Sequence, residues 1–148
     1  MIIAFPPCTY LSNAGANKLY SPPKVLNYER YQKGLKAKEF FMKLLNADCP
    51  KIAVENPIHS KIFEMPAHSQ EIQPYEFGHP YTKRTRLWLK GLPPLMATRI
   101  VKPLMAWAGS SKDYKGNKYT VKHRSPKMRS KTFPGIAKAM AEQWGGKI

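Results

Sequence analysis

Two apolar runs near the start of the chain predict short strands, with a helix between them. MIIAF (1–5) is apolar throughout and stops at Pro6, which cannot donate to a strand ladder. Apolar or small residues then recur at helical spacing over 28–46, with Asn27 as the N-cap. KIAVE (51–55) has the pattern of a buried parallel strand. Strand, helix and strand in this order predict a βαβ unit, and with it an α/β fold built on a parallel sheet.

The remaining segments have weaker patterns. We expect a single domain over 1–148, because a chain of this length is the usual size of one core. The C-terminal TFPGIAKAMAEQWG predicts a helix with Thr132 as its N-cap and Gly145-Gly146 as its stop. The other predicted elements are a loop, a short helix, two strands and an irregular segment, at 9–27, 58–63, 71–77, 85–92 and 93–110.

The charge of the chain favours a polyanionic partner. It carries 25 Lys and Arg against 9 Asp and Glu, a formal net charge of +16. Such an excess indicates nucleic acid first and an anionic membrane surface second. No apolar run reaches the length of a membrane span, and the start of the chain has no signal-like pattern. We therefore expect DNA as the partner and no membrane.

Basic residues concentrate in SKDYKGNKYTVKHRSPKMRSK (111–131), which carries eight Lys or Arg, one Asp and two interleaved tyrosines. The cations there would neutralise phosphates, and Tyr114 and Tyr119 would stack on a base or pack on sugar. The alternative is a solvated loop with no partner. With the irregular segment before it, we expect a DNA-contacting arm over 93–131. Its expected contact residues are Lys112, Lys115, Lys118, Lys122, Arg124, Lys127 and Arg129.

Cysteine and histidine usage predicts neither a disulfide nor a metal site. Cys8 and Cys49 lie in unlike contexts without paired-cysteine spacing, which indicates a reducing, cytosolic environment. Cys49, just before a strand, is expected to be a small buried hydrophobe. The histidines match no metal-ligand spacing and are expected on the surface or in loops: His59, His68, His79 and His123.

Reactive side chains follow the first two predicted strands. Ligands and reacting groups gather at the carboxyl ends of parallel strands. The first strand delivers Pro6-Pro7-Cys8 and the second delivers Glu55-Asn56, so neighbouring strands would bring a thiol and a carboxyl group to one cleft. A nucleophile beside a proton donor or acceptor is the usual basis of covalent catalysis. A Pro-Pro turn and a Glu capping the next helix would explain the same residues without chemistry.

Two arginines stand two apart in YTKRTRLWL. In a strand, the side chains of Arg84 and Arg86 would lie on the same face. Paired guanidinium groups are suited to carboxylates, phosphates or base edges. The alternative is a solvated edge strand, which often carries Lys and Arg to block further pairing.

These motifs, in this order, resemble a known family. A strand ending in FPPC, a strand ending in Glu-Asn and an R-x-R strand look like motifs IV, VI and VIII of the DNA cytosine-5 methyltransferases. RSKTFPGIAKAMAEQWG is similar to the family's last motif, whose helix returns to the cofactor side. FPPCTYL, ENP, FGHPYTKRTRLWLKGLPPL and KPLMAWAGSSK resemble short phage and prophage methyltransferase-like proteins. The resemblance covers most of the chain. It implies a Rossmann-like methyltransferase fold, encoded by a phage or prophage and located in the cytoplasm of a bacterial host.

The resemblance also implies a mechanism. Cys8, as thiolate, would attack carbon 6 of a cytosine flipped out of the duplex. Glu55 would hydrogen-bond the ring nitrogen next to the exocyclic amine, and Asn56 would hold the two strand-end loops in register. Arg84 would contact the base or the Cys8 loop, and Arg86 would orient Glu55. Carbon 5 would then take the methyl group of S-adenosylmethionine, for which the expected contacts are Pro6, Pro7, Thr132 and Phe133.

Three features depart from the family pattern. No G-x-G occurs, although the family begins with a strand and a Gly-rich loop that cradles the cofactor. Thr82 stands where motif VIII usually has Gln, and ENP replaces ENV. The chain is therefore expected to be N-terminally truncated relative to the family. Three alternatives follow. A second chain or a second copy supplies the cofactor half, as in a split enzyme; the chain is an excerpt or a truncated gene product; or it is a catalytically inactive DNA-binding or host-interaction protein.

Overall fold

The computed structural model describes residues 1–22, 24–107 and 125–146. These residues belong to two compact units. Unit 1 consists of Met1–Glu71 with Thr85–Leu92, and unit 2 consists of Ile72–Arg84 with the chain from Pro93 onward. Both helices and strands are present, so the predicted α/β class is confirmed at this level.

The described strands are, in chain order, β1 (Ile2–Ala4), β2 (Tyr20–Ser21), β3 (Val25–Leu26), β4 (Ile52–Asn56), β5 (Gln70–Ile72), β6 (Tyr81–Thr82), β7 (Thr85–Lys90) and β8 (Met105–Ala106). The α-helices are α1 (Tyr28–Leu45), α2 (Pro126–Arg129) and α3 (Pro134–Trp144). Short 3-10 helices lie at Asn13–Lys18, Lys61–Phe63 and Pro74–Glu76. None of the helices in the described segments is long and apolar enough to cross a membrane.

The βαβ unit predicted from the sequence is present in unit 1. Strands β1 and β4 are parallel neighbours, with Ile2 opposite Ile52. Helix α1 connects them and begins as predicted, because the Asn27 side chain accepts a hydrogen bond of 3.0 Å from the backbone nitrogen of Arg30. On the sheet, Phe41 of α1 belongs to a buried cluster formed by Phe41, Ile52, Val54 and Trp88.

The sheet of this fold is mixed, so the predicted parallel arrangement is present between β1 and β4 but does not extend across the sheet. Its strand order is β1-β4-β7-β5, and β7 runs antiparallel to β4. A parallel neighbour needs a long crossover, usually a helix. The chain between β4 and β7 instead forms 3-10 helices and short strands, and returns in the opposite direction.

Several element boundaries also differ from the predictions. The loop over 9–27 contains a 3-10 helix and the antiparallel pair β2 and β3, and the helix expected over 58–63 is a single 3-10 turn. The strand expected over 71–77 is shorter than predicted, because β5 ends at Ile72. Pro74 opens a 3-10 turn, in which the Glu76 carboxylate accepts a 2.6 Å hydrogen bond from the Gln73 backbone nitrogen.

Unit 2 is organised around aromatic rings and one helix face. Strand β6 pairs in parallel with β8, which lies in the otherwise irregular segment after residue 92. Helix α3 begins at Pro134 after Phe133, so the prediction of Thr132 as N-cap was wrong. Proline suits the first helical turn because it has no N–H to satisfy. The buried face of α3 consists of Ile136, Ala139, Met140 and Trp144.

Candidate active site

Two loops leave the same edge of the sheet in unit 1. Because β1 and β4 are adjacent and parallel, their carboxyl ends lie side by side. The loop after β1 carries Pro6, Pro7 and Cys8, and β4 itself ends in Glu55 and Asn56. The structure therefore brings the segments predicted to carry the nucleophile and its acid partner to one sheet edge.

A buried amide joins the end of β4 to the first loop. Asn56 is 0% exposed, and its Nδ2 donates a hydrogen bond of 3.0 Å to the carbonyl oxygen of Pro6. Its Oδ1 lies 2.8 Å from Nε2 of His59. Since an amide oxygen only accepts, this contact assigns the ring proton to Nε2 of His59. Both polar ends of Asn56 are satisfied in this way, as a buried polar group requires.

Backbone hydrogen bonds join the same two loops further along. The Asn13 nitrogen donates to the Ile58 carbonyl at 2.8 Å, and the Ser60 nitrogen donates to the Leu11 carbonyl at 2.8 Å. Leu11 is fully buried. The loop that begins at Pro6 is thus fixed to the end of β4 at its start and to the loop after β4 at its far end.

Cys8 lies within this fixed loop, at the start of a tight turn. Its carbonyl oxygen accepts hydrogen bonds from the backbone nitrogens of Leu11, at 3.1 Å, and Ser12, at 2.8 Å. The residue is half-buried, and its thiol is not in a disulfide. A partly exposed thiol on an anchored turn has the accessibility and fixed position that a nucleophile needs.

His59 holds the Asn56 amide that joins the two loops, a role that the sequence patterns did not indicate. Its ring is 8% exposed and packs against Phe41 and Trp88, with ring centroids 5.8 Å and 5.1 Å away. Burial lowers the pKa of His59 to about 4, and the charge of Arg86 acts in the same direction. His59 is therefore neutral at pH 7 and keeps its Nε2 proton for Asn56. Its Nδ1 is buried without a hydrogen-bond partner among the described residues.

The strand register separates Arg86 from Glu55. In the antiparallel pair of β4 and β7, Asn56 lies opposite Arg86 and Glu55 lies opposite Leu87. Neighbouring positions of a strand project to opposite faces, so Arg86 shares a face with Asn56 rather than with Glu55. The Arg86 guanidinium forms an ion pair of 3.4 Å with Glu71. In this register Arg86 is not placed to orient Glu55, which is the role that the resemblance implied for it.

The other predicted site residues are divided between the units. Arg84 lies in unit 2, in the link between β6 and β7. Of the four residues predicted to contact S-adenosylmethionine, Pro6 and Pro7 belong to unit 1, whereas Thr132 and Phe133 belong to unit 2. Neither unit by itself holds more than two of the four. Phe133 is 5% exposed, with its ring against His79, Tyr81 and Trp107.

The predicted DNA-contacting arm is described only in part. Lys112, Lys115, Lys118, Lys122 and Arg124 lie outside the described residues, as do Tyr114 and Tyr119. Lys127 and Arg129 lie in α2, where Lys127 is exposed and Arg129 is half-buried. The carbonyl oxygen of Met128 in this helix accepts a 3.1 Å hydrogen bond from the Trp107 indole. Helix α2 is thereby attached to the aromatic cluster of unit 2.

Comparisons with known proteins add no relative. No protein-family model, no curated protein and no solved structure matches the chain. In the described part of the chain, no three His, Cys, Asp or Glu side chains cluster so as to hold a metal ion.

Proposed function

We propose that the chain is a DNA cytosine-5 methyltransferase-like protein in which Cys8 attacks a cytosine base. The observation that carries this proposal is the anchored loop pair. A half-buried thiol follows β1, a carboxyl group stands near the end of the parallel neighbour β4, and the Asn56 amide joins that strand end to Pro6 in the loop of the thiol. Covalent catalysis needs a nucleophile and an acid or base held in one place.

The proposed chemistry begins at Cys8. Its thiolate adds to carbon 6 of the base and forms a carbon–sulfur bond, while Glu55 donates a hydrogen bond or proton to the ring nitrogen beside the exocyclic amine. The electron pair of the ring double bond moves to carbon 5. S-adenosylmethionine, when bound, supplies an electrophilic methyl group for that carbon. A base then removes the carbon 5 proton, the bond between carbon 6 and the Cys8 sulfur breaks to restore the thiolate, and the ring nitrogen returns to Glu55 any proton that it received.

Asn56 acts on this chemistry through position. Its hydrogen bond to Pro6 fixes the carbonyl two residues before Cys8, and the neutral His59 ring fixes the amide. A displacement of about 1 Å at a reacting group can cost roughly a hundredfold in rate. We infer that Asn56 and His59 are positioning residues for the thiol, and that neither touches the base.

The charge of the chain and its topology support the rest of the proposal. A net charge of +16 favours a polyanionic substrate such as DNA, and an enzyme that modifies a cytosine ring must take the base out of the stack. The βαβ unit is the local arrangement that a Rossmann-like methyltransferase fold would use. We place the chain in that fold class as part of the same proposal.

Transfer of a labelled methyl group tests this function. The purified chain is incubated with labelled S-adenosylmethionine and a pool of duplexes of random sequence, and the DNA is analysed for 5-methylcytosine. We expect label in the wild-type reaction and in Cys49→Ser, and none in Cys8→Ser. Label that persists in Cys8→Ser would mean that the covalent mechanism is wrong.

One observation favours a second candidate, a DNA-binding protein that does not methylate. Phe133, which was expected to contact the methyl donor, is 5% exposed, and its ring packs within unit 2. For this candidate, calorimetry would detect no binding of S-adenosylmethionine, while the chain would still bind DNA. Binding of the methyl donor to the purified chain would contradict it.

A further inference from the structure

A basic depression lies beside the loop that carries Cys8. It is open, has a volume of about 320 Å³, and belongs entirely to unit 1. Tyr10, two residues after Cys8, contributes its ring, and the 3-10 helix and α1 contribute the charges. The lining residues are Tyr10, Lys18, Asn27, Glu29, Arg30 and Lys33.

Two cations lie against the ring of Tyr10. The guanidinium carbon of Arg30 is 5.0 Å from the ring centroid, and the Lys33 Nζ is 6.0 Å from it. Both distances are within the range of a cation–π contact. The ring therefore holds two positive groups close together without neutralising either of them.

The depression has a net positive charge. Its lining includes three cations and one carboxylate, which leaves +2. The carboxylate, Glu29, forms a 2.6 Å ion pair with Lys33, and its side chain is 80% exposed. That hydrogen bond lowers the pKa of Glu29 and raises that of Lys33, so both remain charged across the neutral range.

Arg30 is fixed to the Cys8 loop. Its Nη2 donates a hydrogen bond of 2.9 Å to the carbonyl oxygen of Thr9, the residue after Cys8. Gly15 leaves room for this contact, because a Cβ there would lie 2.9 Å from the same Nη2 and 3.2 Å from the Thr9 oxygen. A guanidinium has five N–H donors, so a bond to Thr9 leaves others for a ligand.

We propose that this depression binds a backbone phosphate of the DNA strand that carries the target base. Arg30, Lys33 and Lys18 would hold the phosphate oxygens, and the Tyr10 ring would pack against the adjoining sugar. Guanidinium and ammonium groups are the usual phosphate contacts, and such contacts set the register of a protein on DNA. A phosphate held two residues from Cys8 would place the neighbouring base at the thiol. The proposal rests on the proposed action on DNA and adds the surface that positions the substrate.

A matched pair of double variants tests the depression. Lys18→Ala with Lys33→Ala removes two charges from it. Lys36→Ala with Lys43→Ala removes two charges elsewhere on α1, and Lys43 has an ion pair with Glu39 at 3.0 Å that matches the Lys33–Glu29 pair. Binding of a duplex oligonucleotide is measured over a range of salt concentrations, and circular dichroism checks that each variant is folded.

The salt dependence decides the outcome. If both lysines of the depression contact phosphates, the slope of log K against log salt falls by about 2 in the first variant. We expect the control variant to change the slope by less than about 0.5, because its lysines make no phosphate contact. Equal changes in the two variants would overturn the proposal, since they would report only the loss of net charge.

Two further measurements separate related explanations. Titration with inorganic phosphate distinguishes a site for free phosphate from a site for DNA. If the Lys18→Ala, Lys33→Ala variant loses binding of inorganic phosphate but keeps the wild-type salt slope for DNA, the assignment to DNA is overturned. The Cys8→Ser variant should retain the wild-type slope. If Cys8 proves unreactive while the depression variants still lose slope, the proposed function fails and the phosphate site stands.

Discussion

The loops of unit 1 and unit 2 are fixed by different interactions. In unit 1 a fully buried amide, Asn56, connects a strand end to the loop of Cys8, with a neutral histidine behind it. In unit 2 packed rings hold the loops together around Phe133. A buried amide is costly unless every polar atom is satisfied, so it specifies one geometry, whereas ring packing contributes mainly buried apolar area. Substitutions in unit 2 should therefore change stability, and those around Asn56 should change both stability and the reactivity of Cys8.

The largest effect on stability is expected at Phe133 in unit 2. Phe133→Ala should cost about 3–5 kcal/mol in the free energy of unfolding, because a buried ring leaves a cavity among Tyr81 and Trp107. Phe133 makes no side-chain cap to α3, so the alanine removes packing alone. Urea denaturation measures the loss. The neighbouring exposed residue gives the control, Thr132→Ala, which should change stability by no more than about 0.5 kcal/mol. Equal effects at the two positions would refute the packing account of unit 2.

A somewhat smaller loss is expected for Asn56→Ala in unit 1, with an additional effect on the thiol. The change removes two hydrogen bonds and leaves the Pro6 carbonyl and the His59 ring unsatisfied, which should cost about 2–3 kcal/mol. The same variant should slow adduct formation by Cys8, because its loop loses an anchor. Asn17→Ala, at an exposed position, serves as the control in both measurements. Wild-type reactivity of Cys8 in a folded Asn56→Ala variant would break the contrast between the two units.

Gly34 of α1 tests how tightly the support of the Cys8 loop is packed. A methyl group at this position would overlap the ring of Phe63, which forms a core cluster with Leu11 and Leu19. Gly34→Ala should destabilise unit 1 by about 1–2 kcal/mol, since overpacking outweighs the gain of roughly 1 kcal/mol in helix propensity. Phe63→Leu should make room for the methyl group, so the double variant should lose less than the sum of the single variants. Additive losses would mean that the two residues do not compete for space.

At neutral pH the smallest of these effects is that of His59 protonation, which appears only as the pH falls. Its pKa is near 4 in the fold and about 6.5 in the unfolded chain, so the unfolded state binds more protons between these values. The contribution of neutral His59 to the free energy of unfolding is fully present above pH 6.5. It decreases as the pH falls, by at most about 1.4 kcal/mol per pH unit, until about pH 4. Arg86 is the charged group that opposes protonation.

The His59→Gln variant isolates this contribution. The glutamine side chain can still donate a hydrogen bond to Asn56, but it does not titrate. The carboxylates titrate in both proteins, so their contribution cancels when the two are compared. Urea midpoints measured from pH 7.5 to pH 4 should therefore converge as the pH falls. Parallel curves would show that His59 is not held neutral by the fold.

The sequence predicted unit 1 well where the pattern of the chain is regular. The apolar run of β1, the helical spacing of α1 and the Asn27 cap are local signals, and each lies where it was expected. The direction of β7 was missed because alternation along a strand carries no information about its orientation. The cap of α3 was misplaced by one residue because Pro134 itself satisfies the first turn.

The candidate site was predictable only in its chemistry. Cys8 and Asn56 stand at strand ends, where reactive groups gather, and the sequence alone identifies both. His59 and the basic depression depend on contacts between distant segments. Tyr10 and Lys33, for example, are 23 positions apart and meet only when α1 packs beside the loop. A pattern that is read along the chain does not show such contacts.

Covalent trapping by a modified base shows directly whether the Cys8 thiol is the nucleophile. The chain is incubated with duplexes of random sequence in which 2-pyrimidinone, a ring without the exocyclic amine and more open to attack at carbon 6, replaces cytosine. Intact-mass spectrometry then measures the protein. Cys49 is the matched control, since both cysteines are half-buried and neither is in a disulfide. We predict that the wild type and Cys49→Ser gain the mass of one DNA strand, whereas Cys8→Ser gains none. An adduct that survives in Cys8→Ser, or that disappears in Cys49→Ser, would contradict the assignment of Cys8 as the nucleophile.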